Sequence, residues 1–187
     1  MVKAHLHRLD TRKLALASIL GALAAASEVI KGPPFDIPFP LLPGVISWDL
    51  TGIPMMISLL LNGPIGGVYT SIIGCSIIFL RGNVPGGIFK LVAELATVLA
   101  FATIPKNVIT KTVAAVASRV LVMSITNYYI LPIFYPLYYP SEAVVIGILL
   151  PLAVFNLTQA VLNIIPAYII YSRLPNRWRS DKNNLNP

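Results

Sequence analysis

The chain alternates long apolar runs, nearly free of charge, with short breaks rich in proline, glycine and asparagine, and this alternation limits the folds open to it. The runs occupy roughly 12–30, 51–62, 65–80, 88–104, 110–131 and 144–172. A helix needs about 20 apolar residues to cross the hydrocarbon core of a bilayer, and shorter or tilted ones occur. The run 51–62 is short for a full crossing. Between the runs, Gly32 to Pro43 carries five prolines and is expected to be a loop. Asn62-Gly63-Pro64, Arg81 to Gly87 and Pro105-Lys106-Asn107 are turn signals, and 132–142 is rich in proline and tyrosine. The expected fold is an all-α integral membrane domain of six transmembrane helices occupying residues 1–187. Only 11% of residues are charged and 56% are hydrophobic. A soluble domain carries about 25% charge, so no part of this chain is expected to fold in water by itself.

The basic residues set the expected orientation. Six crossings put both termini on one side, together with the turns at 62–64 and 105–111. That side then holds Lys3, Arg8, Arg12, Lys13, Lys106, Lys111, Arg173, Arg177, Arg179 and Lys182, ten of the 14 Lys and Arg. Lys31, Arg81 and Lys90 fall opposite, with Asp36, Asp49 and Glu142. Excess Lys and Arg marks the cytoplasmic side, so both termini are expected in the cytoplasm of a multi-pass plasma-membrane protein. The same placement explains the net charge of +7 without a nucleic-acid partner, for which no motif is present. The basic start and the small residues near Ala26-Ser27 also fit a cleaved signal, but the topology works best with the first helix retained.

Little in the chain points to catalysis. His5 and His7 lie in the basic tail, and Cys75 is the single cysteine. No transition-metal ligand set, phosphate-binding loop or Gly-x-Ser-x-Gly elbow is present. The chain is therefore expected to be neither an enzyme nor a holder of a metal or resident cofactor.

Other residues suit recognition. Small side chains recur every fourth position in the first helix, as Ala17, Gly21 and Ala25 and as Ser18, Ala22 and Ala26. Such ridges allow close helix approach, either to a partner or within the chain. Glu94 and Arg119 fall near mid-depth of the fourth and fifth helices, where charges are usually paired or functional. A structural ion pair is expected. Asn156, Gln159 and Asn163 share one face of the sixth helix. Asn127 lies near the outer end of the fifth, beside Tyr128, Tyr129, Phe134, Tyr135, Tyr138 and Tyr139. Most of these aromatics fit an interfacial belt. With the amides they are consistent with uptake of a small, neutral, partly aromatic solute.

Three stretches carry a wider resemblance: Trp48-Asp49-Leu50-Thr51-Gly52-Ile53-Pro54 with Asn62-Gly63-Pro64, then Asn127-Tyr128-Tyr129-Ile130-Leu131-Pro132 with Tyr135, and Leu150-Pro151 with Phe155-Asn156. Over roughly 12–173 the chain resembles the substrate-binding S component of energy-coupling factor (ECF) vitamin transporters, most closely the riboflavin-binding, RibU-type branch. The resemblance implies capture of a vitamin near the outer face, riboflavin or a related flavin first. It implies docking through Ala17, Ser18, Gly21, Ala22, Ala25 and Ala26 onto a transmembrane T component driven by two ATP-binding subunits. It assigns ligand contacts to Asp49, Asn127 and Asn156, with Tyr128 and Gln159 beside them. The chain departs from that branch at Gly52, where an acidic residue is expected, and at Gln159, where a lysine is expected. Lys90 and Glu94 add charge to a stretch expected to be less charged. These departures leave room for another small metabolite, such as a thiamine precursor, a pyridoxine-like compound or a queuosine precursor. A membrane enzyme or a structural membrane subunit is the alternative from a different class.

Overall fold

The computed structural model describes residues 11–30, 32–105 and 107–175. Of the residues singled out above, Lys3, His5, His7, Arg8, Lys31, Lys106, Arg177, Arg179 and Lys182 lie outside the described residues. The described chain forms six helices: α1 (Thr11–Val29), α2 (Gly52–Asn62), α3 (Pro64–Leu80), α4 (Val84–Thr103), α5 (Val108–Phe134) and α6 (Glu142–Arg173). Two short strands, β1 (Asp36–Pro38) and β2 (Ser47–Asp49), lie between α1 and α2.

Local chemistry sets the helix ends. Gly63, at φ 81, turns the chain between α2 and α3, and Pro64 opens α3 where its missing N–H costs nothing. Asn83 accepts from Gly86 N (3.0 Å) and Asn107 from Thr110 N (2.9 Å), so both asparagines cap helices. These caps start α4 and α5 a few residues earlier than apolarity alone predicts. Helix α5 also runs past its expected end and through Pro132.

Helices α4, α5 and α6, of 20, 27 and 32 residues, are long and apolar enough to cross a membrane. At 1.5 Å per residue the last is about 48 Å long, more than the hydrocarbon thickness of about 30 Å. Helices α2 and α3 are apolar but shorter. Nearly all of α2 is buried, and it packs against α1, α3, α4 and α6 at the centre of the bundle. An apolar helix with no polar face needs such cover on every side. In α5 the buried positions fall every fourth residue, at Lys111, Ala115, Arg119, Met123, Asn127 and Leu131. Ile109, Val113, Leu121, Ile125 and Ile133 are exposed on the other side of that helix, as lipid-facing residues would be.

Leu16, Leu61, Phe101, Val108 and Leu174 join one apolar cluster. The start of α1, the ends of α2 and α4, the start of α5 and the end of α6 therefore share one end of the bundle. The hairpin lies at the other.

Two expectations change. The segment expected to be a plain loop forms an antiparallel hairpin, pairing Asp36 with Asp49, Ile37 with Trp48 and Pro38 with Ser47. Pro38 is tolerated because it closes a strand of three residues at a sheet edge. Ala17 and Gly21, expected to meet a partner, are instead buried with Ala24 against α3. Thr70 Oγ1 donates to Ala17 O (3.1 Å) across that contact. The small residues let α1 and α3 approach closely, which takes Ala17 and Gly21 out of reach of a second protein. Ala22 and Ala26 remain exposed, and Ser18 and Ala25 are half-buried.

Candidate functional site

The hairpin end is organised around Asp49, the last residue of β2. Its Oδ1 accepts from Thr51 N (2.9 Å), and its Oδ2 accepts from the Lys90 ammonium. Burial pushes the Asp49 carboxyl up, but the Lys90 charge and the Lys90 and Thr51 hydrogen bonds outweigh it. The net effect holds the group below its ordinary carboxylate range. Glu28, near the end of α1, approaches the same cluster: Thr51 Oγ1 donates to its Oε2 (3.2 Å), and Lys90 Nζ lies 4.0 Å away.

Gln159 holds the backbone of Asp49 from both sides. Asp49 N donates to Gln159 Oε1 (3.2 Å), and Gln159 Nε2 donates to Asp49 O (2.8 Å). The second Nε2 hydrogen goes to Asn163 Oδ1 (2.9 Å). At the neighbouring positions, Trp48 Nε1 donates to Thr158 Oγ1 (2.9 Å). Phe39 packs edge-on against both Trp48 and Phe155, with ring centroids 5.1 and 5.5 Å apart. The hairpin is thus fastened to α6 by polar and aromatic contacts together.

The network continues inward. Asn163 Nδ2 donates to both oxygens of Glu94 (3.2 and 3.1 Å). Glu94 Oε1 accepts from Arg119 Nη1 at 2.9 Å. Nη1 also reaches Thr97 Oγ1 (3.3 Å), and Arg119 Nε donates to Asn156 Oδ1 (3.2 Å). Asn156 Nδ2 donates to Leu152 O (2.8 Å). Charges this deep are tolerable only when paired and hydrogen-bonded, and Glu94 and Arg119 are both.

Gly52 belongs to the same construction. A side chain there would run into the Asn163 amide, so the start of α2 needs glycine for Asn163 to reach Glu94. The missing charges at Gly52 and Gln159 therefore have a local reason: neutral groups pack where Asn163 and the Asp49 backbone must be held.

Of the residues expected to contact ligand, Asp49, Asn156 and Gln159 meet in this one network. Asn127 does not join it. It is 5% exposed, and its amide bonds to no other described residue. No fully buried side-chain polar atom among the described residues lacks a partner, so this amide borders accessible space. Tyr128 diverges toward the surface, where its hydroxyl donates to Glu142 Oε1 (2.5 Å) and its ring packs edge-on against Tyr129. Glu28, Thr51, Lys90, Thr97 and Thr158 join the network without having been expected as site residues. Glu28 had a signal, since a carboxylate ending an apolar helix needs a partner, and Thr51 lies in a stretch that carries the resemblance; Thr97 and Thr158 had none.

A cavity of about 200 Å³ lies between the end of α1 and the hairpin, lined by Glu28, Phe35, Asp36, Ile46, Ser47 and Asp49 among others. Among the described residues no group of three His, Cys, Asp or Glu could hold a metal ion.

The family described as ECF transporter, substrate-specific component, matches residues 12–171. The riboflavin transporter RibU of Staphylococcus aureus (strain TCH60) is 23% identical over 182 residues, spanning 89% of this chain and 92% of that protein. The solved structure of the S component of a bacterial ECF transporter superposes with a TM-score of 0.75 at 24% identity, covering 89% of this chain and 96% of that one. The structural likeness establishes a shared fold.

Proposed function

The chain belongs to the family of ECF transporter substrate-specific components, and from that premise we propose that it captures riboflavin, or a closely related flavin, at the hairpin end of its bundle. The single observation that carries the site is Asn127. Its amide bonds to no other described residue and borders accessible space, so its donors and acceptor are available to a small molecule. It stands on the same α5 ridge as Arg119, whose guanidinium is bonded to Asn156. A largely apolar bundle with a few aimed amides is the usual form of a small-molecule site. The similarity to the staphylococcal riboflavin transporter supports a flavin as the occupant.

A second reading within the same family is a pyridoxine-like compound or a thiamine precursor. The observation favouring it is the cavity beside the hairpin, whose lining includes the polar residues Ser27, Glu28, Asp36, Ser47 and Asp49. Such a lining suits a small ligand carrying several hydroxyl groups.

In the proposed setting both termini face the cytoplasm and the hairpin end faces outward, in a multi-pass plasma-membrane protein. Arg12, Lys13, Lys111 and Arg173 then lie at the inner end. A transmembrane T component and two ATP-binding subunits would supply the energy, with ATP hydrolysis outside this chain. Ser18, Ala22, Ala25 and Ala26 keep surface on α1 for the T component.

The test is a visible absorption spectrum of detergent-purified protein, mass spectrometry of the supernatant after denaturation, and a riboflavin titration followed by flavin fluorescence. A yellow protein releasing stoichiometric flavin, or saturable quenching of added riboflavin, is the expected result. Release of a different metabolite with no riboflavin binding would move the substrate to the second reading.

A further inference from the structure

Arg119 has more donors than the described residues use. Its side chain is 2% exposed, with Nη1 committed to Glu94 and Thr97 and Nε to Asn156. A guanidinium has five N–H groups, and the two on Nη2 meet no acceptor among the described residues. Because no fully buried side-chain polar atom there lacks a partner, Nη2 must border accessible space, as the Asn127 amide does. Asn156 is oriented by the same contact. Its Oδ1 is turned to Arg119 and one Nδ2 hydrogen to Leu152 O, which leaves the other Nδ2 hydrogen as its remaining donor. Glu94 is fully inside the bundle and neutralises the guanidinium, while Asn163 holds the carboxylate from behind with contacts to both oxygens.

The unspent capacity beside this ion pair is therefore rich in donors and close to neutral overall. A carboxylate or phosphate ligand would bring charge that Glu94 has already cancelled. A carbonyl oxygen or an unprotonated ring nitrogen would not, and it would still gain a hydrogen bond from a charged donor.

We propose that the Glu94–Arg119 pair determines specificity as well as holding the bundle: Arg119 presents its Nη2 edge, with the spare N–H of Asn156, to a carbonyl-bearing edge of the ligand. This rests on the flavin reading of the same site. Glu94 and Asn163 are positioning residues that fix the direction of the fork, and Arg119 touches the ligand.

The test compares binding of riboflavin with its 2-thio and 4-thio analogues, in which a weak sulfur acceptor replaces one ring carbonyl oxygen. Wild type, Arg119→Lys and the double variant Glu94→Gln, Arg119→Gln are titrated as full-length protein in detergent. Lysine keeps the charge but loses the planar fork. The double variant removes both charges together and leaves no unpaired buried ion. Wild type is expected to bind riboflavin about tenfold to a hundredfold more tightly than one of the thio analogues, with the other little affected. In both variants that ratio should fall toward one. A purely structural role would weaken all three ligands alike and keep the ratio. Equal affinity of wild type for all three, or an unchanged ratio in variants that still bind, would overturn the proposal and leave the flavin reading standing. Binding of none of the three by folded wild type would overturn both.

Discussion

Arg119 Nη1 lies 2.9 Å from Glu94 Oε1, and the two side chains are 2% and 0% exposed. The pair joins α4 to α5, and its flanking amides on α6, Asn156 and Asn163, bring in the third long helix. Removing one partner would leave the other charge buried and uncompensated, at a cost of about 3 to 5 kcal/mol. Glu94→Ala and Arg119→Ala should each lower the unfolding midpoint in detergent sharply, and the double glutamine variant should lie closer to wild type. Exchanging the two charges should rescue only in part, because Asn163 would then aim donors at a guanidinium. Full rescue by exchange would show that the amides adapt freely.

Asn127→Ala should separate binding from stability. Its amide bonds to nothing else among the described residues, so the thermal midpoint should hardly move. Riboflavin affinity should fall by about tenfold or more, the worth of one buried hydrogen bond. An unchanged dissociation constant would remove Asn127 from the site.

Gln159 was expected to touch the ligand, yet its amide oxygen and both amide hydrogens are taken by Asp49 and Asn163. Gln159→Leu should loosen the hairpin, raising amide hydrogen exchange at Asp49 and Thr51 by about tenfold or more. Helix α6 itself should keep its protection. Exchange rising equally through α6 would mean that Gln159 supports the bundle and has no particular hold on the hairpin.

Gly52→Ala should displace Asn163 from Glu94, and overpacking of this kind costs about 1 to 3 kcal/mol. Asn163→Ala in the same chain should relieve the clash while leaving Glu94 one neighbour short. The double variant is therefore expected to be more stable than the two single losses added together, as measured by a thermal double-mutant cycle.

Asp49 sets an acid limit. Its folded pKa is lowered below 3.8, chiefly because the Lys90 charge and hydrogen bonds outweigh burial. A depressed folded value means that the ion pair contributes stability above the unfolded pKa and loses it as pH falls through the folded one. Hairpin attachment should be flat from about pH 5 to 8 and weaken only below about pH 4. Trp48 fluorescence in a Trp178→Phe background would report it. A transition near neutrality would mean that a different group controls the hairpin.

The resemblance drawn from Trp48 to Pro54, Asn127 to Pro132 and Phe155-Asn156 pointed to the family whose match covers residues 12–171. It did not reveal how Asp49, Gln159 and Asn163 interlock. Asp49 and Gln159 are 110 positions apart, and no local pattern states that an amide will hold a distant peptide group on both sides.

The six helices were legible in the sequence because each is an apolar run ended by breaks such as Asn62-Gly63-Pro64, and α4, α5 and α6 also have the length that a bilayer crossing demands. The hairpin was hidden: three-residue strands, one ending in proline, have no periodicity to read. Which small-residue ridge of α1 is internal was equally hidden, since Ala17 and Ala22 look alike until α3 is packed against one of them. Those choices belong to the tertiary structure, where close packing decides which equivalent faces touch and buried polar groups must find partners wherever the fold brings them.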